Sequence, residues 1–287
     1  MQPAPPALES LTDIVQHALE EDRAFHDATS QAVVPAATLG QARIVAKQDG
    51  VLAGRDYASA AFAACCPQGE FSWTVQDGDP VRVGQVVWTG RATARGLLAA
   101  ERTALNFLQQ LSGVATMTAQ AVAETGGDFV VLDTRKTVPG LRDAQKAAVR
   151  AGGGVNHRRD LSDQLLLKEN HFGFSGLDYS QTVARAVAHA EGKPVGAEAQ
   201  TLEQALAALA AGASYVMLDN FAEGELAPAV ATIRAQHAAA VIEVSGGLTP
   251  ARLAALRSAG INRVSLGALT HSAPALDFSL LFDGALS

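Results

Sequence analysis

The sequence predicts a mixed fold, in which a small antiparallel sheet with helices precedes a parallel β/α sheet or barrel. Residues 42–89 alternate short apolar runs with turn signals, as in KQDGVLAG and VQDGDPVRVGQVVWTG, the pattern of an antiparallel sheet. Residues 92–124 are helical in pattern, with Leu97, Leu98, Leu105, Leu108 and Leu111 spaced to bury one face. From Phe129 onward one unit recurs, a short apolar strand ending in a polar residue or glycine and then a helix. Its interval of roughly 20 to 35 residues fits one βα unit each.

Taken in order, Leu11–Glu21 reads as a helix, with Ser10 as N-cap and Leu11, Ile14, Val15 and Leu19 on one side. A second helix over 56–64 interrupts the antiparallel segment, and residues 92–124 link two domains. The later strand ends are FVVLDTRK, LLLKENH, VGAEAQ, YVMLDN, VIEVSGG and VSLGA. Thr201 with Gln204 forms a capping box, and Thr249 followed by Pro250 places a cap and then proline at the first helical position.

With 287 residues, 48% of them apolar, and a formal charge of −7, the chain suits a soluble globular protein of one large or two modest domains. The acidic balance argues against nucleic acid and anionic membranes as partners, since both need a broad basic face. Cys65 and Cys66 are adjacent, so they form no ordinary long-loop disulfide, and no spacing resembles a zinc site. A reducing, cytoplasmic location fits. The start MQPAPPALES lacks the basic and apolar regions of a signal peptide, and no apolar run reaches the ~18 residues of a membrane span.

In a parallel β/α unit the strand C-termini meet at one mouth, so Asp133, Arg135, Lys136, Lys168, Glu198, Asp219, Ser245 and Gly267 are expected to face a common pocket. Arg135 and Lys136 follow a strand directly. His157, Arg158 and Arg159 follow AGGG, where glycine lets the backbone turn tightly, and Lys168 ends the next strand. Guanidinium forks grip carboxylate or phosphate in bidentate fashion, and lysine adds a movable point charge. Cations gathered this closely repel unless anions fill the site. Arg142, Lys146 and Arg150 recur at helical spacing and read as a solvated helix face outside the site.

VSGGLT and VSLGALT place Ser-Gly-Gly and Leu-Gly-Ala at the last two strand ends, where barrel enzymes often cup a phosphate with backbone N–H groups. Glu198 and Asp219 suit ribose hydroxyls, a Mg²⁺ ion held partly by substrate phosphates, or charge balance for Arg135 and Lys168. Glu101 and Arg102, by themselves, read as a solvated charge pair.

ERTALNFLQQLSG, DTRKTVPGLR, AVRAGGGVNHR, LSDQLLLKENH, YVMLDNF and EVSGGLT closely resemble, in order, the decarboxylating nicotinate-nucleotide pyrophosphorylases, also called quinolinate phosphoribosyltransferases. The likeness runs from about residue 56 to 278. It implies an N-terminal open-faced α/β sandwich over 1–117, joined by a tail at about 276–287, and an incomplete parallel β/α barrel over 118–275. It also implies a homodimer whose active sites are shared, and leaves association beyond the dimer open.

By similarity, Arg102 from the partner subunit joins Thr134, Arg135, His157, Arg158 and Lys168 in holding quinolinate. Lys136, Lys168, Glu198 and Asp219 would serve phosphoribosyl pyrophosphate, with Glu198 and Asp219 meeting Mg²⁺ largely through substrate and water. Ser245, Gly246 and Gly247, with Leu266, Gly267 and Ala268, would cup the 5-phosphate. The implied reaction is a pentosyl transfer in de novo NAD biosynthesis that needs no side-chain nucleophile.

VGAEA departs from the VEVEV often seen in the family, so Gly196 and Ala197 replace Glu and Val; altered packing is expected, with Glu198 retained. Three alternatives stand beside this one. A molybdenum-transport-associated homologue shares TRK and GGG but lacks the KENH ending. A Schiff-base aldolase would use Lys168 and leave the surrounding Arg and His unexplained. A phosphate-metabolite sensor would bind without turnover.

Overall fold

The computed structural model describes residues 10–286, which fall into two compact units. In chain order the first unit holds α1 (Leu11–Glu21), α2 (Ala28–Val33), β1 (Leu39–Ala46), β2 (Gly50–Val51), α3 (Arg55–Cys65), β3 (Glu70–Trp73), β4 (Pro80–Val81) and β5 (Val86–Thr93). Helix α4 (Ala94–Thr125) follows, and the unit boundary falls within it at Met117.

Helix α1 starts where its cap directs. Ser10 Oγ accepts from the Asp13 N–H at 3.2 Å, and Asp13 Oδ2 accepts from the Ser10 N–H at 3.0 Å, a closed capping box. The four-stranded antiparallel sheet runs β12-β1-β5-β3, its last-in-chain strand β12 (Phe278–Leu286) pairing with β1. Period-two alternation puts Ala42, Ile44 and Ala46 of β1 on one face, which α1, α3 and the first turns of α4 cover. At the centre Phe62 stacks on the fully buried Trp88 at 4.2 Å between ring centroids. This is the open-faced sandwich that the sequence resemblance implies.

Two sequence expectations change here. Leu98 is 37% exposed while Leu97, Leu105, Leu108 and Leu111 are buried, because a residue next to Leu97 lies about 100° around the helix from it. Lys146 is only 3% exposed, so it belongs to no solvated face. Its helix, α5 (Arg142–Ala151), groups with the first unit and buries Ala144, Gln145, Lys146, Ala148 and Val149. Those five positions span more than half the helix circumference, so the i, i+4 charge spacing marks no free stripe.

The second unit carries the βα repeat. Its strands are β6 (Val130–Leu132), β7 (Leu165–Leu167), β8 (Val195–Ala199), β9 (Tyr215–Asp219), β10 (Val241–Ser245) and β11 (Arg263–Ser265). Its helices are α6 (Glu169–Phe174), α7 (Tyr179–His189), α8 (Leu202–Ala210), α9 (Glu223–Gln236) and α10 (Ala268–His271). All the strand pairings are parallel, in the order β6-β11-β10-β9-β8-β7. A closed barrel would also pair β6 with β7; here Leu132 of β6 bridges Val155 instead, so the barrel is incomplete. Each apolar run named from the sequence forms one of these strands.

The helix starts match less closely. Thr201 Oγ1 accepts from the Gln204 N–H at 3.3 Å, but Gln204 Oε1 takes the N–H of Gln200 at 2.8 Å, one residue before the cap. Thr249 makes no side-chain cap, and Pro250–Arg252 and Ala254–Leu256 are single 3₁₀ turns. So short a segment, ended by left-handed Ser258 and Gly260, cannot propagate an α-helix past its nucleation cost.

Among the described residues no helix is long and apolar enough to cross a membrane. Truncating the Trp88 ring should lower the unfolding free energy by about 3–5 kcal/mol, measurable by urea denaturation of Trp88→Ala.

Candidate active site

The C-terminal ends of the parallel strands open on a cavity of about 210 Å³. Arg135, Lys136, Arg158 and Lys168 bring the positive charge to its wall, and Thr134, His157, Leu166, Met217, Ser245 and Ser265 complete it. The loop after β6 is locked from both sides. The Lys136 N–H donates to Thr134 Oγ1 at 3.0 Å, and the Lys136 carbonyl accepts from Thr270 Oγ1 at 2.7 Å.

Asp133, expected to face the pocket, is instead fully buried. Its Oδ1 accepts from the His157 N–H at 2.8 Å and its Oδ2 from Asn156 Nδ2 at 2.6 Å. A carboxylate buried at a strand end needs donors, and this one finds them in the segment after the glycines. That anchoring sets His157 and Arg158 at the mouth. Arg158 is itself largely buried and donates through Nη1 to the Gln164 carbonyl at 3.1 Å. Burial, and after it the neighbouring Arg135 charge, push the Arg158 pKa down. An entering anion would relieve both effects.

Lys168 lies between β7 and α6, a helix the sequence reading did not distinguish. Its N–H donates to His171 Nδ1 at 3.0 Å, and its Nζ pairs with Glu198 Oε1 at the end of β8. The Tyr179 hydroxyl donates to the Glu198 carbonyl at 2.8 Å while Phe172 stacks on the Tyr179 ring at 4.2 Å. His171, three residues after Lys168, is the sequence signal for this turn. Asp219, on the adjoining β9, accepts from Asn220 Nδ2 at 2.9 Å. Neither Glu198 nor Asp219 lines the cavity itself.

A second cavity of about 200 Å³ begins at Ser245 and continues along Gly246, Gly247, Asn220 and Arg252. Gly246 has φ +97°, and any Cβ there would overlap Asn220 Oδ1, so only glycine serves. Leu266 is buried, and Gly267 and Ala268 lie at the start of α10; none of the three lines this second cavity. An added Cβ on Gly267 would sit 2.9 Å from Lys136 Cδ, which places that glycine beside the lysine stem. Arg102 belongs to the first unit, where its side chain is 58% exposed and 3.9 Å from Glu101 Oε1.

Residues 27–112 match the N-terminal domain of quinolinate phosphoribosyl transferase, and residues 114–281 match its C-terminal domain. The chain belongs to the quinolinate phosphoribosyltransferase family. It is 39% identical to nicotinate-nucleotide pyrophosphorylase (carboxylating) of Mycobacterium leprae over 274 residues, 93% of this chain and 95% of that protein. Against quinolinate phosphoribosyltransferase (decarboxylating) 1 of Nicotiana glauca the identity is 34%, over 99% of this chain and 85% of that one. The solved structure of nicotinate-nucleotide pyrophosphorylase from Francisella tularensis superposes with a TM-score of 0.89 at 35% identity, covering 95% of this chain and 96% of that one.

In this quinolinate phosphoribosyltransferase family member the geometry also accounts for the glycine of the VGAEA strand. A Cβ at position 196 would overlap the Tyr215 ring, which lies across Gly196 from the neighbouring strand. The Tyr215 hydroxyl accepts from Gln164 Nε2 at 3.0 Å, and the Arg263 guanidinium covers its ring at 4.2 Å. Gln164, Tyr215, Glu243 and Arg263, which do not line the cavity but stand behind it, were not singled out from the sequence. Their signal was the charge inside the apolar run VIEVS, since a carboxylate in a central strand needs a partner.

Gly196→Ala should cost about 1–3 kcal/mol from overpacking. Adding Tyr215→Leu should recover much of that loss in a double-mutant cycle followed by thermal denaturation; purely additive losses would contradict the Gly196–Tyr215 fit.

Proposed function

We propose that this chain is a decarboxylating quinolinate phosphoribosyltransferase, which joins quinolinate and phosphoribosyl pyrophosphate to give nicotinate mononucleotide, CO₂ and pyrophosphate. The observation that carries this reading is the gathering of Arg135, Lys136, Arg158 and Lys168 around one small cavity that adjoins a glycine-walled one. Two carboxylates on a pyridine ring and the phosphates of the second substrate supply the anions such a site needs.

The bond changes are simple. The pyridine nitrogen forms a bond to C1 of the ribose as the C1–O bond breaks and its electron pair leaves with pyrophosphate. The nitrogen then carries positive charge, which stabilises the electron pair left on C2 when CO₂ departs; a solvent proton replaces it. Arg135 and Arg158 hold the carboxylates so that nitrogen and C1 approach in line, and fixed charge rather than a side-chain nucleophile lowers the barrier. Lys136 and Lys168 offset charge on the phosphoribosyl group, and Ser245, Gly246 and Gly247 cup its 5-phosphate.

Glu198 and Asp219 fit a Mg²⁺ site of the sparse kind. They offer two hard oxygen donors on adjoining strands, Glu198 being paired with Lys168 as well. Water and substrate phosphates would supply the remaining ligands. When bound, Mg²⁺ stabilises charge on the departing pyrophosphate oxygens. The exposed Arg102 on α4 supports a homodimer in which that guanidinium completes a neighbour's pocket. The free thiols of Cys65 and Cys66, pushed up to about 11 and about 12 by burial, fit a reducing cytoplasm.

Supplied with phosphoribosyl pyrophosphate and Mg²⁺, the protein should release CO₂ and mononucleotide from quinolinate and stop when EDTA removes the metal. Absence of both products, or turnover of nicotinate instead, would overturn the assignment. Mixing Arg102→Ala and Lys136→Ala chains tests the shared site. One site in each mixed dimer would be intact, so random mixing should restore about a quarter of wild-type activity; no restoration, with mixing confirmed by native mass spectrometry, would remove Arg102 from the neighbour's site.

A further inference from the structure

Behind the cavity wall five side chains close a ring. Glu243, in the middle of β10 and 0% exposed, accepts from Arg263 Nε at 2.7 Å and from the Ser265 hydroxyl. On its other side His157 Nε2 stands 3.4 Å from Glu243 Oε1. Gln164 Nε2 lies 3.2 Å from His157 Nδ1 and 3.0 Å from the Tyr215 hydroxyl, and Arg263 over the Tyr215 ring completes the circuit.

A further contact on the ring acts together with the Glu243 charge on where the His157 proton sits. The backbone N–H of Arg158 donates to His157 Nδ1 at 2.7 Å. A ring nitrogen that accepts a hydrogen bond carries no proton, which leaves the imidazole proton for Nε2, the nitrogen 3.4 Å from the Glu243 carboxylate, a contact of charge rather than of hydrogen-bond geometry. The opposite tautomer would set two donors against each other at Nδ1 and a lone pair against a carboxylate at Nε2. Both nitrogens therefore face protein groups, and the His157 side chain is only 7% exposed. Burial alone would raise the Glu243 pKa, yet His157, Ser265 and Arg263 together bring it below its ordinary value, so the acceptor stays ionised.

We propose that Glu243 is a positioning residue for the dicarboxylate clamp: it holds His157 as the Nε2–H tautomer, which pins the Arg158 backbone and so aims the Arg158 guanidinium at the substrate. His157 then works through Arg158 instead of touching the carboxylates itself. The dicarboxylate part of this role rests on the proposed activity, whereas the tautomer part does not.

Glu243→Gln tests both parts in the full-length protein, because it keeps the size of the side chain while removing the charge and replacing one of the two acceptor oxygens by an NH2 donor, where both oxygens already accept from Arg263 and Ser265. Imidazole ¹⁵N spectra, with His157 assigned by its absence in His157→Asn, should show the Nε2–H form in the wild type and its loss in Glu243→Gln. The KM for quinolinate should rise at least about tenfold while that for phosphoribosyl pyrophosphate changes less than about twofold, since only the clamp is disturbed. Glu243→Asp keeps an acceptor-only group; it should retain the wild-type tautomer with a KM between the two, and it provides the reading if Glu243→Gln does not fold. An unchanged tautomer, or an equal rise in both KM values, would overturn the proposal. If the wild type turns over no quinolinate, the functional assignment fails separately, and the spectra still decide whether Glu243 sets His157.

Discussion

Arg135, Lys136, Arg158 and Lys168 carry like charge into a cavity of about 210 Å³, and the barrel must hold them there before any anion arrives. Two like charges about 6 Å apart at an effective dielectric of about 20 repel by about 3 kcal/mol, and less where water reaches them. Much of the surrounding structure offsets that repulsion. Glu198 pairs with Lys168, and Glu243 lies behind His157 with Arg263 as its counter-charge. Buried Asp133 binds the backbone that presents His157 and Arg158, so its charge also lies beneath the cationic loop.

The positions of these charges depend on short strands. Those carrying the mouth are three to five residues long, too short to fix a loop by their own ladders. Side-chain contacts take over that task. Thr134 and Thr270 hold the loop after β6, and His171 and Tyr179 steady the ends of β7 and β8. Because β6 and β7 do not pair, the barrel wall is incomplete between the first two strands that present cations. Precision at this site comes from hydrogen bonds to loop backbone rather than from a closed sheet.

A good part of the fold was legible in one dimension. FVVL, LLL, YVML and VIEV are apolar runs with few alternatives to a buried strand, and their spacing leaves room for one helix each. Cations directly after such runs lie at the mouth by topology alone, as Arg135, Lys136 and Lys168 do, whereas Arg158 reaches it through the segment after AGGG that Asp133 anchors. Lys146 and Leu98 were misread for a shared reason: spacing shows which residues share a helix face, but not how many faces are covered. Asp133 was misplaced because a strand-end carboxylate can turn outward or inward, and only the nearby N–H of His157 settles which.

By itself, then, the sequence determined the alternation of strands and helices, the gathering of basic residues at the strand ends and the family to which the chain belongs. These follow from local preference, hydrophobic period and chain order. Only the tertiary structure decided that Gly196 makes room for Tyr215, that Asp133 faces inward, and that Glu243, His157, Gln164, Tyr215 and Arg263 close on one another. Those five residues are spread over about a hundred positions of chain. Hydrogen bonds and ring contacts act over a few ångströms, so their partners are known only once adjacent strands have set residues distant in sequence side by side.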